Sequence, residues 1–202
     1  MVSDDPRWNL NIHYHRVVLD AIPRGARTAL DVGCGDGLLS FDIAARGLLV
    51  TGLDNDAASI RRATSDRRAS EATQFVVGDL FTVPLRPESF DLVASIAMLH
   101  HVDARAGLRR MRQLVPPGGV LVIVGFATAS GIWDRARAVA GMVFKWAKRL
   151  TGGYWEHQAP VVWPPPLSSV EMADLVRDEL PGATFENALS NRYNVVWTRS
   201  MP

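Results

Sequence analysis

The sequence predicts an α/β fold: a mostly parallel sheet with helices on both faces and an antiparallel last strand. Three observations carry that reading. Short apolar runs alternate with segments of helical periodicity from Thr28 to Phe126. The first run empties into a glycine-rich turn, Gly33-Cys34-Gly35-Asp36-Gly37, which opens a helix. Two closing strands meet through Ser190-Asn191-Arg192, the spacing of an antiparallel hairpin.

The elements follow in order. An opening helix is expected over Leu10 to Ile22, stopping before Pro23. Thr28 to Val32 is a buried strand, and Leu38 to Ala45 is helical because Leu38, Leu39, Ile43 and Ala44 recur at helical intervals. Leu48 to Leu53 is the second strand, Ala57 to Arg68 a helix with a charged outer face, and Gln74 to Val77 the third strand. Phe90 to Met98 is a long apolar strand and Asp103 to Val115 the helix after it. The turn Pro116-Pro117-Gly118-Gly119 leads into the buried strand Val120 to Phe126.

After Phe126 the rhythm breaks. Gly131 to Leu150 reads as a helix, Thr151-Gly152-Gly153 as a turn, and Tyr154 to Pro166 as an aromatic, proline-rich and irregular run. Such a segment between two strands is expected to roof a site, so 127–166 is read as a lid inserted after strand five. The helix's apolar residues Ile132, Trp133, Ala136, Val139, Ala140, Val143, Ala147 and Leu150 are expected to cover the pocket. Its cations Arg135, Arg137, Lys145, Lys148 and Arg149 would then face water. Contact of this helix with a membrane surface or a partner is the alternative. A helix at Ser169 to Leu180 and strands at Thr184 to Leu189 and Tyr193 to Arg199 complete the chain.

A length of 202 residues suits one domain, 1–202, with one sizeable core. A hydrophobic share of 48% and a charged share of 21% are those of a globular protein and argue against disorder. A formal net charge of +1 gives no reason to expect nucleic acid as a partner. Cys34 is the single cysteine, so an intrachain disulfide and a cysteine zinc cluster are both excluded, and a cytoplasmic location is expected. The acidic, polar start lacks the charged and apolar regions of a signal peptide. No apolar stretch reaches the roughly 18 residues needed to span a bilayer.

The glycine turn is where chemistry concentrates. Glycines there let the backbone bend sharply and let a ligand lie against bare main chain. A dinucleotide loop needs G-x-G-x-x-G, but position 38 is Leu, so the pattern is G-x-G-x-G and argues against NAD and FAD. Asp54 ends the second strand about 20 residues past the loop, where an acid meets ribose hydroxyls. Gly78-Asp79 ends the third strand, where a carboxylate can accept from an adenine amino group. Three strand ends in this order describe a site for adenosine without phosphates, since no cation accompanies the loop. Taken one at a time, Asp54 is equally a helix cap and Asp79 a turn residue.

These residues resemble the class I S-adenosylmethionine (SAM)-dependent methyltransferases. The likeness runs from Ala29 to Phe126. Gly33-x-Gly35-x-Gly37 resembles the family's first motif, Asp54 its ribose acid, and Gly78-Asp79-Leu80 its adenine-side motif. Phe90-Asp91-Leu92-Val93 with Leu99-His100-His101 resembles the fourth motif of the small-molecule, ubiquinone-biosynthesis-like branch. Leu114-Val115-Pro116-Pro117-Gly118-Gly119-Val120-Leu121 is similar to the turn before strand five. The N-terminal Asn11 to His15 and the Trp155 to Pro166 segment resemble standalone bacterial members, and the excess of arginine over lysine suits a GC-rich genome.

The resemblance implies a Rossmann-like seven-stranded sheet with its site at the strands' carboxyl ends. It implies SAM as cofactor and S-adenosylhomocysteine as product. The cofactor is expected against Asp31, Gly33, Cys34, Gly35, Gly37, Asp54, Asn55, Gly78, Asp79, Leu80, Ser95 and Leu99. The Pro-Pro-Tyr motif of base N-methyltransferases is absent; Ala94-Ser95-Ile96-Ala97 stands in its place, which points to a small-molecule acceptor. His100 and His101 are the candidate general bases, with core packing or helix capping as the alternative. Tyr14, Trp133, Trp146, Tyr154, Trp155, His157 and Trp163 are the expected acceptor walls. The histidines lack metal-ligand spacing, so no metal is expected. Two readings stay beside a methyltransferase acting as a monomer or homodimer. One is a SAM-binding protein that transfers no methyl, and the other acts on lipid or quinone at a membrane surface.

Overall fold

The computed structural model describes residues 8–150, 155 and 163–201. Seven strands form one sheet in the order β3-β2-β1-β4-β5-β7-β6. They are β1 (Thr28–Val32), β2 (Leu49–Asp54), β3 (Thr73–Val77), β4 (Leu92–Ile96), β5 (Val120–Phe126), β6 (Thr184–Ala188) and β7 (Arg192–Thr198). The first five are parallel, and β7 runs antiparallel to both β5 and β6. The predicted α/β class and the antiparallel last strand are both observed.

Burial follows the pleat. On β1, Leu30 and Val32 face one side and Ala29 the other, so the sheet feeds two cores. One side carries α5 (Ala104–Leu114) and α7 (Ser169–Glu179). In α5 the buried Ala104, Gly107, Leu108, Met111 and Leu114 repeat at helical spacing, and Asp103 caps its start through Ala106 N at 2.7 Å. Each fully buried leucine there contributes on the order of 1.5–3 kcal/mol. In α7 the capping box Ser168–Glu171 fixes the start. The opposite face is covered by α2 (His15–Asp20) and α3 (Leu38–Ala44), which bury Val18, Leu19, Leu39 and Ile43.

The sheet changes direction between β1 and β4, where β1–β2–β3 extends one way and β4–β5 the other. This reversal opens a crevice at the strands' carboxyl ends. The expected single opening helix is two short ones, α1 (Leu10–His13) and α2, divided at Tyr14. Tyr14 is buried, and its hydroxyl accepts from Leu189 N at 3.0 Å. That long-range bond holds the break.

Helix α4 (Ala57–Thr64) is shorter than expected and is capped by Asp56. Helix α6 (Ile132–Leu150) forms where predicted, with the opposite face inward. Its apolar residues Ile132, Trp133, Val139, Val143 and Leu150 are exposed instead of covering a pocket. Gly141, the one buried residue of α6, packs against Ser190, and Asp134 accepts from Ser169 Oγ at 2.6 Å. Close approach and hydrogen bonding on this side outweigh the apolar stripe. Among the described residues no helix is long and apolar enough to cross a membrane.

Candidate active site

The crevice holds a cavity of about 510 Å³, within the range of small-molecule sites. The glycine turn forms its floor. Gly33, Gly35 and Gly37 all have positive φ, at 75°, 52° and 76°. A Cβ on Gly37 would sit 2.7 Å from the Phe75 ring, so the turn can pack against β3 only as glycine. Gly37 starts α3 from the left-handed region and does not itself line the cavity.

Carboxylates dominate the wall. Asp31, Asp36, Asp54, Asp56 and Asp79 line it, with Arg192 the guanidinium among the described lining residues. Asp54 ends β2 and accepts from Gly35 N and Asp56 N, both at 2.8 Å. It therefore ties the glycine turn to the loop beyond β2, while the cap of α4 is Asp56. Asp79 Oδ1 accepts from Phe81 N at 2.8 Å, which fixes the loop after β3. Asp31 is 2% exposed and accepts from Ser40 Oγ at 2.7 Å. Burial outweighs that bond and pushes its carboxyl up to about 6.

Cys34, Gly33, Gly35, Asn55, Gly78 and Leu80 also line the cavity. Burial, aided by the nearby Asp31 and Asp54, pushes the Cys34 thiol upward, so it is a packing thiol. Ser95 and Leu99, expected near the cofactor, lie behind the wall. The Ser95 hydroxyl donates to Val32 O at 3.0 Å within the sheet, and Leu99 packs into the core with 1% exposure. Ile96, Ala97 and Met98 face the cavity in their place. Ala97 has φ +57°, a conformation costing a non-glycine residue roughly 1 kcal/mol, at the turn where β4 leaves the sheet.

His100 and His101 lie in a 3₁₀ turn, Leu99–His101, and both line the cavity. Their ring centroids are 4.1 Å apart, and His100 meets Phe126 edge-on at 5.0 Å. His100 Nδ1 is buried without a hydrogen-bond partner. Burial, then His101 and Arg192, lower the His100 imidazole to about 4, and burial also lowers His101. Both rings are thereby biased towards the neutral, proton-accepting form.

Of the expected acceptor walls, Trp155 and Trp163 line the cavity. Trp155 N donates to Trp8 O at 2.7 Å, which ties this residue to the N-terminal segment. Trp133 and Trp146 do not line it; they stand on the outer face of α6, 76% and 64% exposed. Tyr14 packs behind it, committed to Leu189. Tyr154 and His157 lie outside the described residues.

His15 and Met98 also line the wall, and residues not anticipated complete it: Asn9, Asn11 and Ile12 from the N-terminal segment, Phe126 and Arg192. His15 Nδ1 meets Asp42 Oδ2 at 2.7 Å in a buried pair. Arg192 donates to Asn11 Oδ1 at 2.8 Å and stacks 4.3 Å from the Phe126 ring centroid.

Comparisons with known proteins agree with one another. Residues 30–123 match the family model described as a methyltransferase domain. An uncharacterized methyltransferase of Mycobacterium tuberculosis is 43% identical over 198 residues, covering 96% of this chain and 98% of its own. A ubiquinone biosynthesis O-methyltransferase of Rhizobium leguminosarum is 28% identical, covering 86% and 70%. Among solved structures, phosphoethanolamine N-methyltransferase 2 of Haemonchus contortus superposes with a TM-score of 0.67 at 15% identity. It covers 94% of this chain and 53% of its own, and holds S-adenosylhomocysteine.

Proposed function

The chain belongs to the SAM-dependent methyltransferases, and on that premise we propose that its cavity binds SAM and delivers the methyl group to a small-molecule acceptor, at oxygen or nitrogen. The observation that carries the assignment is the charge of the wall. Five aspartates around a glycine floor suit a ligand with an ammonium and a sulfonium, and suit no phosphate. Asp31 is the sharpest case, a desolvated carboxylate that gains from a cationic neighbour.

The residues divide the work. Asp54 would accept from the ribose hydroxyls, Asp79 from the adenine amino group, and Leu80 would flank the ring. Asp31 would meet the methionine ammonium, and Gly33 and Gly35 would offer bare backbone beside it. SAM supplies an electrophilic methyl on sulfur. Alignment of the acceptor and exclusion of water remain for the protein, and they account for several kcal/mol of acceleration. Trp155, Trp163 and Phe126 would hold the acceptor. His100 or His101 would take its proton where the acceptor is a hydroxyl. With a single thiol, the enzyme is assigned to a reducing cytoplasm.

Calorimetry with SAM, S-adenosylhomocysteine and NAD tests the reading. SAM and its product are expected to bind and NAD is not. Asp54→Ala should weaken SAM by about tenfold to a hundredfold, since a charged hydrogen bond is worth roughly 1.5–3 kcal/mol. Unchanged SAM affinity in a folded Asp54→Ala variant, or binding of NAD alone, would overturn it. With a hydroxyl acceptor, His100→Ala should cost about a hundredfold in turnover while SAM affinity holds.

A further inference from the structure

Three elements bring polar groups together at one part of the crevice wall. Helix α2 supplies His15, β1 supplies Asp31, and α3 supplies Ser40 and Asp42. None of the four is more than 7% exposed. Ser40 Oγ donates to Asp31 and His15 Nδ1 to Asp42 Oδ2, both at 2.7 Å, so one helix anchors both contacts. Burial raises the Asp31 carboxyl, and the Ser40 bond and then the charge of His15 hold it down. His15 therefore stands close to Asp31 as well as to Asp42. Of the two ends of this cluster, His15 and Asp31 line the cavity and Asp42 lies behind them.

The Asp42 contact fixes the histidine. A carboxylate only accepts, so Nδ1 carries the proton and points inward. Nε2 is then the polar atom of the ring left for the cavity. A carboxylate behind one nitrogen holds the ring in one orientation and turns the other nitrogen into a directed hydrogen-bonding group. Buried pairs of this kind add little net stability to a fold.

The proposed cofactor ends in an amino acid, with an ammonium and a carboxylate on one carbon. With the ammonium at Asp31, the carboxylate falls beside it, and a carboxylate taken from water without a donor is strongly disfavoured. Among the described lining residues, His15, His100, His101 and Arg192 can carry positive charge. Arg192 opens β7, three strands along the sheet from β1, and the two other histidines follow β4. Of the four, His15 weighs most on Asp31. We infer that His15, oriented by Asp42, binds the carboxylate of the cofactor's methionine part through Nε2–H, beside the ammonium at Asp31. This inference rests on the SAM reading of the cavity. With a carboxylate at each edge of the ring, both nitrogens donate and the imidazolium is the bound form. Asp31 and His15 together then read the two charges of the amino-acid end, and the cavity discriminates against adenosine ligands that lack them.

Calorimetry of the full chain with three ligands tests this without any methyl transfer. The ligands are SAM, decarboxylated SAM, which keeps the ammonium, and 5′-methylthioadenosine, which has neither charge of the amino acid. The wild type should bind SAM about tenfold to a hundredfold more tightly than decarboxylated SAM. The double substitution His15→Phe with Asp42→Leu removes the pair together, so that no buried charge is orphaned. It should bring SAM down to the affinity of decarboxylated SAM and leave 5′-methylthioadenosine within about threefold of the wild type. Equal binding of SAM and decarboxylated SAM by the wild type would overturn the inference and leave the cofactor assignment standing. So would a folded double variant that keeps the full preference for the carboxylate. If neither SAM nor 5′-methylthioadenosine binds the wild type, the cofactor assignment falls, and this inference with it.

Discussion

Asp31 sets its proposed binding role against stability. A carboxylate 2% exposed, with one hydroxyl donor, is held up to about 6 by burial, while in the unfolded chain it titrates near 3.8. The folded state therefore binds the proton more tightly. The resulting stabilisation is complete below the unfolded value and is lost as pH rises through about 6. At neutral pH the ionised Asp31 costs the fold on the order of 3 kcal/mol relative to the neutral acid. Asp31→Asn keeps an acceptor for Ser40 and removes the charge. It should raise the melting temperature at pH 8, by about 2–4 °C per kcal/mol, and raise it much less at pH 5. SAM affinity should fall in the same variant. Equal melting shifts at the two pH values would refute the desolvation account. Asp31, Asp54 and Asp79 were legible in the sequence because each ends a strand beside a recognisable turn. Asn11 and Arg192 were not. They reach the wall by contacts between the two ends of the chain, such as Arg192 with Asn11, 181 positions apart, which no spacing rule sees.

At the scale of elements, every strand edge stands within two residues of its expected bound, because the buried strands are apolar runs closed by turns. Helical periodicity specifies which side chains share a face, and leaves open which face meets the sheet. Helix α6 illustrates the difference: the stripe was visible, and its outward direction depends on Gly141 and Asp134. The closest approach is at Gly141, where an added Cβ would overlap the Ser190 hydroxyl and lie 2.6 Å from Ser190 N. Gly141→Val should therefore lift the middle of α6 off the β6–β7 turn. Hydrogen exchange should show faster exchange over 132–150 and at Ser190, with the strands β1 to β5 still protected. Unchanged protection of α6 would mean that the approach to Ser190 is not what docks it.

For the whole molecule, the chain leaves the sheet after β5 and returns to nearly the same place. Thr128 and Ser168 form a parallel bridge, with Thr128 N donating to Leu167 O at 2.9 Å and Ser169 N to Thr128 O at 3.0 Å. Everything between is an excursion with its ends already closed, so removing it need not disturb strand order. The cavity-lining residues on β1, β2, β3 and their loops, to which the cofactor is assigned, all precede it. The excursion supplies Trp155 and Trp163 to the cavity and the outer stripe of α6. A variant joining Ala129 to Leu167 through a short glycine–serine linker should fold with the seven strands intact, because loop closure between adjacent ends is cheap. It gives up the Asp134–Ser169 bond and the contacts of Phe144 and Lys148 with Trp8, so a melting temperature several degrees lower is expected. SAM should still bind, within about tenfold of the parent, since its aspartates and glycine turn remain. Methyl transfer should vanish, because the acceptor wall and the exclusion of water go with the deleted segment. Calorimetry and single-turnover transfer from labelled SAM measure the two separately. A folded variant that binds SAM and still methylates the acceptor at the parent rate would show that 130–166 has no part in the acceptor site.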